Sequence, residues 1–183
     1  MHRRGDPRRL LGLVGSILLA AAIAEAQGSG FQRFLGSYVG EAVSASGDEL
    51  DKRDISAEIT AQGKGFKVKW TVVVKRGNDP PRRVEYTITF FPTKRPDIYS
   101  SAMRTDVFGN AVPLDPLNGD PYIWARLDGD RFWMYALFVT ETGGYEMQTY
   151  ERTLVPGGMD LRYSRVRDGE VLRTVTGKLK KIR

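Results

Sequence analysis

From Gly36 onward apolar residues recur at every second position, in short runs separated by Gly, Asp, Asn and Pro. That period belongs to strands with one buried and one solvated face. The clearest run is 65–75, with Phe66, Val68, Trp70, Val72 and Val74 on one face and Lys67, Lys69, Thr71 and Lys75 on the other. Residues 83–91 repeat it, setting Val84, Tyr86, Ile88 and Phe90 against Glu85, Thr87 and Thr89. The same reading predicts strands over 37–44, 53–60, 97–103, 122–127, 131–140, 145–154, 160–167 and 170–180.

Most connections between these runs, such as 62–64, 128–129, 156–158 and 168–169, are too short to join anything but antiparallel neighbours. Left open, a meander of about ten strands would expose two long edges, and closing the sheet removes them. The prediction is an all-β fold, an antiparallel up-and-down β-barrel of about 8–10 strands. A two-sheet sandwich is the weaker alternative, because its Greek key needs long crossovers and the chain has one long connection, 104–121. That segment is either a lid across the barrel mouth or an ordered loop. Phe31, Phe34 and Leu35, at i, i+3 and i+4, predict one helical turn plugging a barrel end. A two-residue loop at Asp128-Gly129 would set Trp124 opposite Trp133, with both indoles on one face together with Tyr135. The other face of 122–140 is apolar, with Ile123, Ala125, Leu127, Phe132, Met134, Ala136 and Phe138, and either face could line the lumen.

The first 26 residues read differently. Arg3, Arg4, Arg8 and Arg9 precede an apolar run over 10–23 that ends at Ala24-Glu25-Ala26, the grammar of a cleaved signal helix. Fourteen residues make roughly 21 Å of helix, short of a bilayer core of about 30 Å. The expected product is therefore a single β-barrel domain over 27–183, periplasmic or secreted. The whole chain carries 28 basic and 22 acidic residues, and removing the leader leaves 24 and 20, a small surplus. Nucleic acid is not an expected partner at that address. The basic residues Arg162, Arg165, Arg167, Arg173, Lys178, Lys180, Lys181 and Arg183 either face an anionic membrane surface or protect a sheet edge from pairing.

The single histidine, His2, belongs to the leader, and the chain has no cysteine. A Ser-His-Asp triad, a cysteine nucleophile, a tetrahedral zinc site and histidine-ligated haem all lack their essential group. No catalytic residue, metal site or cofactor is expected. The acidic stretch Asp48, Glu49, Asp51 and Asp54 could pair carboxylates for acid or base work or coordinate calcium, and its simpler reading is a solvated turn. An outer-membrane barrel is disfavoured by Lys67, Lys69, Lys75 and Glu85 on the face that lipid would require to be apolar.

A short plug followed by Gly36-Ser37-Tyr38 at the opening of a strand meander resembles the calycin superfamily of lipocalins and fatty-acid-binding-like barrels. Lipocalins carry Gly-x-Trp there, with a late-strand arginine packed over the tryptophan. Here Tyr38 stands for the tryptophan, and Arg173 is the expected counterpart of the arginine. The chain departs from lipocalins in showing no C-terminal helix. The resemblance implies a lumen that holds a small hydrophobic or amphipathic molecule without catalysis. Phe66, Trp70, Tyr86 and Phe90 are its expected lining, joined by Trp124, Trp133 and Tyr135 if their face points inward. Two other readings stay open: an envelope interaction protein whose barrel is filled by its own side chains, and an enzyme using a buried carboxylate. A lumen below about 300 Å³ would favour the filled barrel.

Overall fold

The computed structural model describes residues 30–46, 49–74, 80–101, 104–105, 107–108, 111–112 and 114–183. The leader, and with it the signal-helix expectation, lies outside these residues, as does Asp48 of the acidic turn. A 3-10 turn, η1 (Gly30–Phe34), precedes β1 (Gly36–Ser46), β2 (Glu49–Gln62), β3 (Gly65–Val74), β4 (Arg82–Pro92) and β5 (Ile98–Ser101). A two-stranded ribbon, β6 (Arg104–Thr105) and β7 (Ala111–Val112), and the 3-10 turn η2 (Pro116–Asn118) follow. The chain ends with β8 (Tyr122–Asp128), β9 (Arg131–Val139), β10 (Tyr145–Val155), β11 (Gly158–Arg167) and β12 (Glu170–Lys181).

Among the described residues ten strands close one antiparallel barrel in the order β1-β12-β11-β10-β9-β8-β5-β4-β3-β2. Each run read from the period-two pattern is a barrel strand. Alternation fixes the two faces of each strand, and short turns keep neighbours antiparallel. At the β11–β12 turn Asp168 (φ +48°) and Gly169 (φ +87°) are both left-handed, as a two-residue type I′ loop requires. Closure brings β12 between β11 and β1, with Tyr38 opposite Lys181 and Ala45 opposite Thr174. The basic C-terminal strand is therefore not a sheet edge, and protection of an edge is not what its cations do.

One end of the barrel is filled. Phe31 and Phe34 of η1 are buried and pack onto Phe66 (centroids 5.2 Å) and Phe132 (5.8 Å). Phe66 also meets Phe90 at 5.1 Å, Tyr99 at 5.1 Å and Phe132 at 5.5 Å, in stacked and edge-on geometries worth about 0.5–1.5 kcal/mol each beyond their buried area. The predicted helical plug is thus present as a single 3-10 turn. Met134, Met159, Val68 and Ile59 join them in the buried core.

The β8–β9 register differs from the expected one. The loop residues are Gly129 (φ +56°) and Asp130, so Asp128 pairs with Arg131, Trp124 with Tyr135 and Arg126 with Trp133. Glycine takes the first loop position, where a positive φ is needed, and the pairing moves by two residues. A shift of two preserves the face, so both indoles remain on one side.

Candidate functional site

Above the plug the barrel is hollow. A cavity of about 270 Å³ is lined by Arg53, Ile55, Ala57, Trp70, Val72, Tyr86, Gln148, Tyr150, Arg152, Leu161, Tyr163, Arg165, Arg173, Val175 and Leu179. No residue of 104–121 lines it among those described, so the lid expectation finds no support there. A larger groove of about 1050 Å³ crosses the outer wall, where Glu41, Glu151 and Asp160 alternate with Arg131, Arg162 and Lys178. Its charges balance. The inner cavity contrasts with it, having four arginines and no carboxylate in its lining.

Of the residues expected to line a lumen, Trp70 and Tyr86 do so. They are cross-strand partners on β3 and β4, stacked at 5.0 Å with 21° between planes. Phe66 and Phe90 belong to the plug below, fully buried in ring contacts. Trp124, Trp133 and Tyr135 point outward, because Ile123, Ala125, Leu127, Phe132, Met134 and Ala136 occupy the inner face of the same hairpin. Outside, Trp124 stacks on Tyr135 at 4.9 Å and Arg126 lies over the Trp133 ring at 5.2 Å. These three aromatics are thus wall, not lumen.

Arg173 is also corrected. It lies towards the mouth as part of the cavity lining. The cation over Tyr38 is Lys181, its cross-strand partner, at 5.6 Å from the ring centroid. Pairing on adjacent strands decides this contact, and Arg173 is eight residues too early on β12 to reach Tyr38.

Sequence reasoning missed the inner face of β10, where Glu146, Gln148, Tyr150 and Arg152 succeed one another. The Tyr150 hydroxyl donates to Gln148 Oε1 at 3.0 Å, and Gln148 Nε2 donates to Glu146 Oε1 at 2.8 Å. Arg165 Nη2 and Arg167 Nη2 donate to Glu146 Oε2 at 2.7 and 2.9 Å. Burial by itself would raise the Glu146 pKa, but the hydrogen bonds from Arg165, Gln148 and Arg167 outweigh it and hold the carboxyl at about 2. Burial pushes the Tyr150 and Tyr163 phenols up, so both remain neutral donors.

Arg152 stands at the lower end of this wall with 2% exposure. Its guanidinium lies 5.4 Å from the Phe132 ring centroid and 5.9 Å from that of Trp70. Its Nε and Nη1 are buried without a hydrogen-bond partner. Burial lowers its pKa to about 10, an effect the nearby Tyr150 opposes, and the side chain stays cationic at neutral pH. Two cation–π contacts do not replace the hydrogen bonds that Nε and Nη1 lack.

No family model matches the chain, and no curated protein matches it. Among solved structures it is similar to the S-type phycobiliprotein lyase from Guillardia theta, with a TM-score of 0.55 and 9% identity over 84% of this chain and 90% of that one. At that identity the likeness is one of fold. The architecture is a calycin-like β-barrel.

Proposed function

We propose that this chain is an exported calycin-like barrel that holds a small amphipathic molecule in the mouth half of its lumen, without catalysing a reaction on it. The observation that carries this reading is the division of the barrel interior. One half is an aromatic plug, and the other is a cavity walled by Trp70, Tyr86, Tyr150 and Tyr163 with polar groups set between them. An apolar pocket with a few convergent polar groups is the usual form of a small-molecule site. The similar lyase is named for acting on phycobiliproteins, which is compatible with a calycin barrel that handles a small molecule. Export is inferred from the arginine-rich, then apolar, start of the chain.

The filled-barrel interaction protein keeps one observation in its favour. The cavity, at about 270 Å³, falls just under the roughly 300 Å³ at which ligand pockets begin. Against it stand the opening of the cavity beside the exposed Tyr86 and the buried Arg152 Nε and Nη1 without a hydrogen-bond partner, which a self-filled core would avoid. Gentle purification from the native host, followed by organic extraction and mass spectrometry, separates the two readings. A stoichiometric small molecule supports the carrier. An empty, stable barrel that captures no amphiphile in titration supports the filled barrel.

A further inference from the structure

Closure of the barrel is uneven along its length. β5 joins β4 through Phe90, Phe91 and Pro92 alone, and it joins β8 through Trp124, Ala125 and Arg126 alone. The chain then turns away, for β6 pairs with β7, and η2 packs against β9 on the far side of β8. Residues 82–87 of β4 are held by β3 on one side and, among the described residues, by no strand on the other. Exposure agrees: Arg82, Arg83, Glu85, Tyr86 and Thr87 are all exposed, Tyr86 even though it faces inward.

The backbone groups of a strand point alternately to its two neighbours. Thr93 N–H donates to the Ile98 carbonyl at 3.1 Å, on the β5 side, and the register of β4 is unbroken down to Arg82. Arg83, Glu85 and Thr87 therefore aim their N–H and C=O groups away from β3. Sheet edges are commonly blunted by proline, a bulge or an inward charge. From Arg82 to Thr87 there is none of these, since the inward positions hold Val84 and Tyr86. The outward charges, Arg83 and Glu85, have opposite signs two residues apart, so they complement a copy of themselves. Within one chain Arg83 reaches Glu85 only at 3.7 Å, and the two side chains stay 67% and 43% exposed.

We propose that this edge is an interface for a second copy of the chain, β4 pairing antiparallel with β4 about a two-fold axis beside Val84. In that register Arg83 lies opposite the partner's Glu85 and Glu85 opposite the partner's Arg83, with Val84 facing its own copy. Moving the axis by one residue either way sets Arg83 against the partner's Arg83 or Glu85 against the partner's Glu85, which like-charge repulsion disfavours. Arg83 and Glu85 are also the residues whose backbone groups face the open side, so the pairing completes hydrogen bonds that one chain leaves to water. The contact is isologous and runs the sheet from β3 of one copy to β3 of the other. It covers the barrel wall beside Tyr86 as well.

Sedimentation equilibrium of the chain as its host produces it, over a range of concentrations, tests the association, and single-cysteine variants test its register. The expected mass rises with concentration towards twice that of the monomer. The chain has no cysteine of its own, so one introduced thiol reports only on its copy. Val84→Cys should form a disulfide-linked dimer under mild oxidation, because opposed residues of a non-hydrogen-bonded pair have Cα atoms about 4.5 Å apart. Thr87→Cys should not, since its two copies lie roughly six residue steps, about 20 Å, apart along the paired strands. Arg83→Glu and Glu85→Arg should each weaken association about tenfold, and the double variant Arg83→Glu/Glu85→Arg should regain it. A chain that stays monomeric at every concentration overturns the proposal. Cross-linking as strong at position 87 as at 84, or association indifferent to both charge reversals, puts the dimer on another surface and overturns it too. Should Val84→Cys not fold, as read by circular dichroism, the charge reversals at the exposed positions 83 and 85 decide.

Discussion

The Tyr38 hydroxyl donates a buried 2.9 Å hydrogen bond to the Phe34 carbonyl, tying the first barrel strand to the turn that plugs the barrel. Tyr38 has no exposed surface and Phe34 has 1%, so water cannot replace the bond. Tyr38→Phe should therefore cost about 1–2 kcal/mol, read as a lower urea midpoint with an unchanged slope.

Phe132 and Trp133 are consecutive on β9 and face opposite ways. Phe132→Ala removes a ring that touches Phe34, Phe66 and Phe90 and should destabilise by about 3–5 kcal/mol. Trp133→Ala, on the outer wall beside Arg126 and Arg131, should cost less than about 1 kcal/mol. Equilibrium unfolding of the two variants checks the assignment of faces, and a reversed order would contradict it.

Of the three tryptophans, only Trp70 lines the cavity. Filling the lumen with N-phenyl-1-naphthylamine should quench or shift Trp70 emission. The response should persist in the double variant Trp124→Phe/Trp133→Phe and disappear in Trp70→Phe, as followed by tryptophan fluorescence. Tyr86→Ala, which removes the other half of the stack, should weaken the probe about tenfold, the equivalent of about 1.4 kcal/mol.

Glu146 makes stability depend on acid. Its folded pKa of about 2 lies below the ordinary 4.5, so the folded state binds fewer protons than the unfolded chain between those values. The stabilisation is complete above about pH 4.5 and is lost as the pH falls towards 2. Arg165 and Arg167 are 37% and 47% exposed, and allowing for solvent screening leaves about 1–2 kcal/mol. Urea midpoints measured from pH 2 to 6 should fall on the acid side in the parent protein and do so less steeply in Glu146→Gln.

Much of the fold was legible residue by residue. The alternation of Phe66, Val68, Trp70 and Val72 with lysines and threonine names both the strand and its inner face, because one side is apolar and the other charged. The pair 122–139 did not yield its faces in this way. Aromatics lie on both sides, and Trp124 and Tyr135 resemble a pocket lining as much as they resemble a wall. For β10 the signal was weaker still, since Glu146, Gln148 and Arg152 are what a solvent face would carry. One local clue was available: Arg152 pairs directly with Phe132, and cross-strand partners share a face. Reading it required the register across the 140–144 turn, which composition does not supply.

The sequence by itself determined the strands, their antiparallel order, the plug and the lack of cysteine, all of which follow from local period, turn residues and residue types. Closure of the barrel decided which face became interior and that Arg152 is buried. It also placed Lys181 beside Tyr38, and Trp124, Trp133 and Tyr135 on the outside. These depend on contacts between residues far apart in the chain, since burial belongs to the surroundings that distant strands create and not to the side chain alone.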